Sequence, residues 1–85
     1  MTEDAARALL ARITVEPGKM GGRPIVRGRR VTVEMILGYL AAGLDRGEIL
    51  ENFPFLEDAD IDACLLYAQR LAARATEPGL SIAAE

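Results

Sequence analysis

The chain has 85 residues, with ten Lys/Arg against 13 Asp/Glu, one cysteine and no histidine. That is one domain near the lower limit for independent folding, where only roughly 60% of the unfolded surface is buried. A single cysteine excludes an internal disulfide. Without histidine neither a Cys/His zinc set nor a Ser/His or Cys/His nucleophilic pair can be assembled. No metal, cofactor or catalytic residue is therefore expected, and the chain reads as a non-enzyme. The net charge of −3 conceals an asymmetry. Residues 1–30 hold seven Lys/Arg against Glu3, Asp4 and Glu16, giving +4, and the remainder is −7. No run approaches ~18 apolar residues, and the Met1-Thr2-Glu3-Asp4 start is acidic where a signal peptide is basic, so a cytoplasmic location is expected.

Thr2 is placed to cap a first helix over 5 to about 12, with Glu3 and Asp4 at its positive end. Ile13 to Val15 is β-branched and extended, and Pro17-Gly18 breaks it. Met20-Gly21-Gly22 is loop. Pro24-Ile25-Val26 and Arg29-Arg30-Val31 read as two short extended runs around a tight turn at Gly28, a small hairpin or arm leaning on the helices.

Thr32 caps a second helix, 33 to about 42, whose apolar stripe is Met35, Ile36, Tyr39 and Leu40. Gly43 suits a left-handed helix end. Asp45 and Glu48 form a capping box for a short helix, 46 to about 52, that presents Ile49 and Leu50 inward and stops at Pro54. After the apolar turn at Phe53-Pro54-Phe55-Leu56, a last helix spans 59 to about 75. Its expected inner stripe is Ile61, Cys64, Leu65, Ala68, Leu71 and Ala72, and Cys64 reads as a buried, unreactive thiol. Pro78-Gly79 ends it, and 76–85 reads as a mobile tail.

The division is thus an N-terminal helix (1–12), a hairpin plus helix-turn-helix domain (13–75) and the tail (76–85). The fold class is mainly α: a small three-helix helix-turn-helix domain, winged or trihelical, with a short N-terminal β-hairpin and an extra N-terminal helix.

Several segments together resemble one family. They are Gly21 through Val33 (with Arg23-Pro24-Ile25-Val26-Arg27-Gly28 at its centre), Ile36-Leu37, Leu40-Ala41-Ala42-Gly43, Glu48-Ile49-Leu50, Phe53-Pro54, and Asp60-Ile61 with Tyr67-Ala68. The family is the domain-of-unknown-function 433 family, small bacterial proteins regarded as antitoxin-like, of VapB type. The resemblance implies an antitoxin that neutralises a PIN-like ribonuclease toxin and binds operator DNA as a dimer to repress its own operon. Two departures stand out. Arg29-Arg30 adds a positive charge where the family has Gly-Thr-Arg. Glu57 or Asp58 replaces the usual threonine cap of the last helix.

Lys19, Arg23, Arg27, Arg29 and Arg30 form a run of five cations with no acidic residue between them. Such a run suits phosphates, whose binding rests on cations that release condensed counterions, or an acidic protein partner. These five are the candidate nucleic-acid contacts, with Arg29 and Arg30 first because they flank the turn. Glu57, Asp58, Asp60 and Asp62 crowd the start of the last helix and would oppose its insertion into DNA, so the hairpin is the expected contact. The same carboxylates suit the helix N-terminus, and alternate helical residues point ~100° apart per step, so they do not converge on a metal. Leu65, Ala68, Leu71 and Ala75 are the expected dimer or partner interface. The alternative function is an interaction module whose Arg-rich hairpin docks an acidic partner and touches no nucleic acid.

Overall fold

The structure is a computed structural model and describes residues 1–75. Helix α1 (Glu3–Leu10) leads into strand β1 (Ile13–Thr14). A 3-10 turn (Met20–Gly22) precedes strand β2 (Ile25–Val26). Helices α2 (Val33–Ala41), α3 (Arg46–Asn52) and α4 (Asp58–Arg74) follow. The expected tail over 76–85 lies outside the described residues.

The helix starts form where capping chemistry placed them. The Thr2 and Thr32 hydroxyls each accept a backbone N–H, from Ala5 and Met35, at 3.0 Å. Asp45 and Glu48 exchange side-chain to backbone bonds at 2.8 Å in both directions, completing a capping box. Gly43, at φ 100°, turns the chain out of α2 in a conformation that side-chain-bearing residues rarely adopt. Helices α2, α3 and α4 then follow one another as in a helix-turn-helix domain. Helix α1 packs along α4.

The extended segment differs from the expectation of a leaning arm. β2 lies in the middle. β1 pairs with it antiparallel on one side, Ile13 opposite Val26 and Thr14 opposite Ile25. The returning run pairs on the other side through Ile25 and Thr32. Adjacent strand residues point to opposite faces, yet Ile25 and Val26 are both fully buried. The small sheet is therefore covered on both faces. Val26, Val31 and Val33 join Ile36, Ile49, Leu56, Ile61 and Cys64 in one core. Each fully buried large aliphatic side chain contributes about 1.5–3 kcal/mol, so this sheet is a main source of stability.

The interior of α4 also differs. Ile61, Ala63 and Cys64 are buried, whereas Leu65 is 42% exposed and Leu71 49% exposed. Each residue turns the helix ~100°, so Leu65 lies one step past the buried line through Cys64. Residues 71–75 are all exposed, because the end of α4 runs beyond the packed body. Met35, Tyr39 and Leu40, expected inside, are half-buried; Tyr39 and Leu40 line the core's edge.

Paired truncations on α4 test this assignment. Ile61→Ala is expected to destabilise the fold by about 2–5 kcal/mol, and Leu65→Ala by less than ~1 kcal/mol. Urea unfolding of both variants measures it, and equal losses would refute the assigned helix orientation.

Candidate nucleic-acid interface

The hairpin turns through Arg27 and Gly28, both at positive φ (46° and 69°). The Arg29 N–H donates to the Val26 carbonyl at 2.8 Å, closing the turn. Positive φ at both central residues matches the right-handed twist of the flanking strands. At φ 69° Gly28 has a conformation that side-chain-bearing residues rarely adopt. A Cβ there would lie 2.9 Å from a Glu16 carboxylate oxygen, the mobile end of a part-exposed side chain that would have to shift. Arg27 occupies a left-handed conformation unusual for a residue with a side chain, and its contacts explain how it is held.

Arg27 was expected to face a phosphate and instead points inward. Its Nε donates to Asp60 Oδ1 at 3.0 Å and its Nη2 to Asp60 Oδ2 at 2.9 Å. Nη2 also donates to the Phe55 carbonyl at 2.7 Å. Arg12, from the α1–β1 junction, donates to Asp60 Oδ1 at 3.0 Å and to Glu57 at 2.8 Å. The Glu57 N–H donates to Asp60 Oδ2 at 2.8 Å, so Asp60 also caps the helix from within. Asp60 is 1% exposed. Burial alone would raise its pKa; the bonds from Arg27, the Glu57 N–H and Arg12 outweigh that and hold it below the ordinary carboxylate value. The hydrogen bonds from Arg12 to Glu57 and Asp60, and from Arg27 to Asp60, in turn raise both guanidinium pKa values.

The other acidic residues at the start of α4 are engaged too. Arg46 reaches Asp62 at 2.6 Å and Asp58 at 3.4 Å. The expected wall of four carboxylates is therefore absent: Asp60 is interior, and Glu57, Asp58 and Asp62 each face an arginine.

The five cations of the run do different work. Lys19 Nζ donates to the Gly28 carbonyl at 2.8 Å and pairs with Glu16 at 3.3 Å, bracing the turn. Arg23 is exposed and pairs with exposed Glu34 at 3.2 Å. Arg30 is exposed, its Nη1 3.9 Å from the Met20 sulfur. Arg29 is exposed and lies over the Phe55 ring, 4.6 Å from its centroid. Phe55 continues into a row with Phe53 and Tyr39, at centroid spacings of 6.2 and 5.8 Å. The inward arginine thus positions the outward one, since Arg27 fixes the Phe55 backbone whose ring carries Arg29. Among the described residues, Arg29 and Arg30 are the cations of the run without a carboxylate partner.

Asp60 and Arg12 were missed as a structural pair, although a signal was present. Asp60 is four residues before Cys64 and seven before Tyr67, which places a carboxylate on the inward stripe of α4. Cys64 is buried, and burial followed by the nearby Asp60 charge pushes its thiol pKa up to about 12, away from thiolate chemistry. Leu65, Ala68, Leu71 and Ala75 do not make one exposed face. Leu65 and Leu71 lie about 120° apart around the helix, and Ala68 is half-buried. No helix among the described residues is long and apolar enough to cross a membrane.

The family model described as "Protein of unknown function (DUF433)" matches residues 13–68. "Uncharacterized protein y4eO" of Sinorhizobium fredii is 37% identical over 57 residues, 67% of this chain and 26% of that protein. The chain thus spans about a quarter of that relative's length. A crystal structure of a DUF433 member protein from Anabaena variabilis superposes with a TM-score of 0.69 at 25% identity, covering 87% of this chain and 80% of that one.

The Asp60 cluster predicts an acid-labile fold. A lowered carboxylate pKa contributes stability that is present above the unfolded value of 3.8 and is lost as pH falls through the folded value. Melting temperature is expected to fall below about pH 4, and Asp60→Asn should flatten that dependence. The same substitution should cost about 3 kcal/mol near neutral pH, at the low end for a broken buried pair because both arginines keep some contact with water. Circular dichroism melts of both proteins from acid to neutral pH check this; parallel pH profiles would refute it.

Proposed function

We propose that this chain, which belongs to the DUF433 family of proteins of unknown function, is the antitoxin of a toxin–antitoxin pair. In this role it is a cytoplasmic, non-enzymatic homodimer that neutralises a PIN-like ribonuclease and contacts operator DNA with its hairpin. The observation that carries the DNA half is the exposure of Arg29 and Arg30 at the turn without a carboxylate partner among the described residues, while Lys19, Arg23 and Arg27 each have one. Guanidinium suits bidentate pairing with phosphate, and Arg29 is held in place on Phe55. The nuclease half rests on the family resemblance, and exposed Leu65 is the point offered for the dimer contact.

The Arg29–Phe55 stack also favours a second reading, since arginine on an aromatic row is a common composition of protein interfaces. In that case the hairpin docks an acidic protein partner and no nucleic acid.

Changing Arg29 and Arg30 together to Ala should weaken binding to the gene's own upstream DNA at least about tenfold. It should also lower the slope of log affinity against log salt by about 2, one for each phosphate that the variant leaves unneutralised. Mobility-shift titrations at several salt concentrations measure both effects, alongside co-purification with the product of the adjacent reading frame. Retained DNA binding with loss of the protein partner would replace the first reading with the second.

A further inference from the structure

At the other end of α4 the molecule leaves an apolar groove with a distinct charge. Tyr67 and Leu71, on the inner side of the helix, line two adjoining open cavities. One, of about 520 Å³, lies between α4 and the α1–β1 junction; Leu10 and Ile13 form its opposite wall, and Arg70 and Arg74 line it. Among the described residues no carboxylate lines this cavity, in a chain of net charge −3. The second, of about 400 Å³, lies between α4 and α2 and is lined by Val33 and Leu37, with Arg23 and Glu34 at its edge. Leu71 is 49% exposed between them. An apolar side chain left half-exposed in a concave surface, beside two arginines, is a docking geometry for an apolar anchor flanked by negative charge.

We propose that this groove receives an acidic amphipathic helix of a partner protein. One bulky apolar side chain seats against Tyr67 and Leu71, and its neighbouring carboxylates face Arg70 and Arg74. The proposal deepens the partner-binding half of the antitoxin reading and rests on it for the partner's identity; the chemistry recognised follows from the groove. A second copy of this chain fits less well. Of its two exposed α4 leucines, Leu71 belongs to the groove itself, and Leu65 is three residues from Asp62, whose carboxylate is already held by Arg46 at 2.6 Å. The groove is also separate from the hairpin: residues 60 and 71 are about 16 Å apart along the helix axis.

The test uses the full chain and two synthetic helical peptides of about 15 residues. Both carry the same leucine face; one is flanked by glutamates and the other by lysines. Nuclear magnetic resonance titration should place the glutamate peptide on Leu10, Ile13, Tyr67 and Leu71, with affinity at least about tenfold above the lysine peptide. Leu71→Glu should abolish binding. Arg70→Glu with Arg74→Glu, at positions of little structural weight, should invert the preference between peptides. Equal affinity for both peptides, shifts mapping elsewhere or insensitivity to both variants would overturn the proposal. So would a dimer that Leu71→Glu dissociates without peptide, which would make a second copy the occupant, or binding that appears only after deletion of residues 76–85, which would make the chain's own end the occupant. If the glutamate peptide binds as stated and the adjacent gene product does not bind at all, the antitoxin reading falls and the groove assignment stands.

Discussion

One buried carboxylate organises this small protein. Asp60 accepts hydrogen bonds from the hairpin turn, from the α1–β1 junction and from the start of its own helix. An unpaired charge at that depth would cost several kcal/mol, so the site tolerates no loose arrangement of its donors. Arg27 reaches Asp60 from a left-handed turn position, and the turn in turn favours glycine at 28, where φ is 69°. The cluster therefore fixes the turn type, the approach of β1 to β2 and the packing of the sheet on α4. In a chain of 85 residues with few aromatics, such a polar lock specifies a geometry that a modest apolar core would leave looser.

The lock also changes what the charge pattern means. Five cations without an intervening acid suggest a broad positive surface. Folding removes Arg27 to the interior, uses Lys19 to brace the turn and sets Arg23 against Glu34. What remains is narrow: two arginines beside a turn, one of them resting on Phe55. Likewise the acidic start of α4 is less free than its sequence suggests: Asp60 is buried, and Glu57, Asp58 and Asp62 stay in contact with water but are each paired with an arginine. Sequence charge counts add residues regardless of partner, whereas recognition depends on charges that still face solvent.

Most helix limits were legible because capping is local. Thr2, Thr32 and the Asp45–Glu48 box act within four residues, and Gly43 marks its helix end by conformation alone. The turn at Gly28 was legible for the same reason. The long-range partners were not. Nothing local distinguishes Arg27 from Arg29, two residues along, although one is tied to a residue 33 positions away and the other is exposed. The error at Leu65 has a different source: Cys64 and Leu65 are both apolar neighbours, and a stripe drawn through both is wider than the face α4 buries. Asp60 was misassigned because three alternating aspartates look like one acidic cap, and only position relative to Cys64 and Tyr67 separates the inward one from Asp58 and Asp62.

The two faces have unequal rigidity, and that bears on how they could communicate. The hairpin tip is tied at Asp60 to the first turn of α4, inside a fully bonded cluster. The groove uses the last turns of the same helix, where residues 71–75 are all exposed and little packing resists motion. A ligand in the groove acts mainly by ordering that end, and such ordering reaches the hairpin through the line of buried Ile61 and Cys64 and half-buried Tyr67 that joins them. Because coupling between two binding sites is reciprocal, any effect of a partner on DNA affinity must appear equally as an effect of DNA on partner affinity. A substitution on that line, such as Cys64→Ser, touches neither surface. It would alter the coupling while leaving each separate affinity near its original value, which is the signature that separates communication through α4 from direct contact between the two ligands.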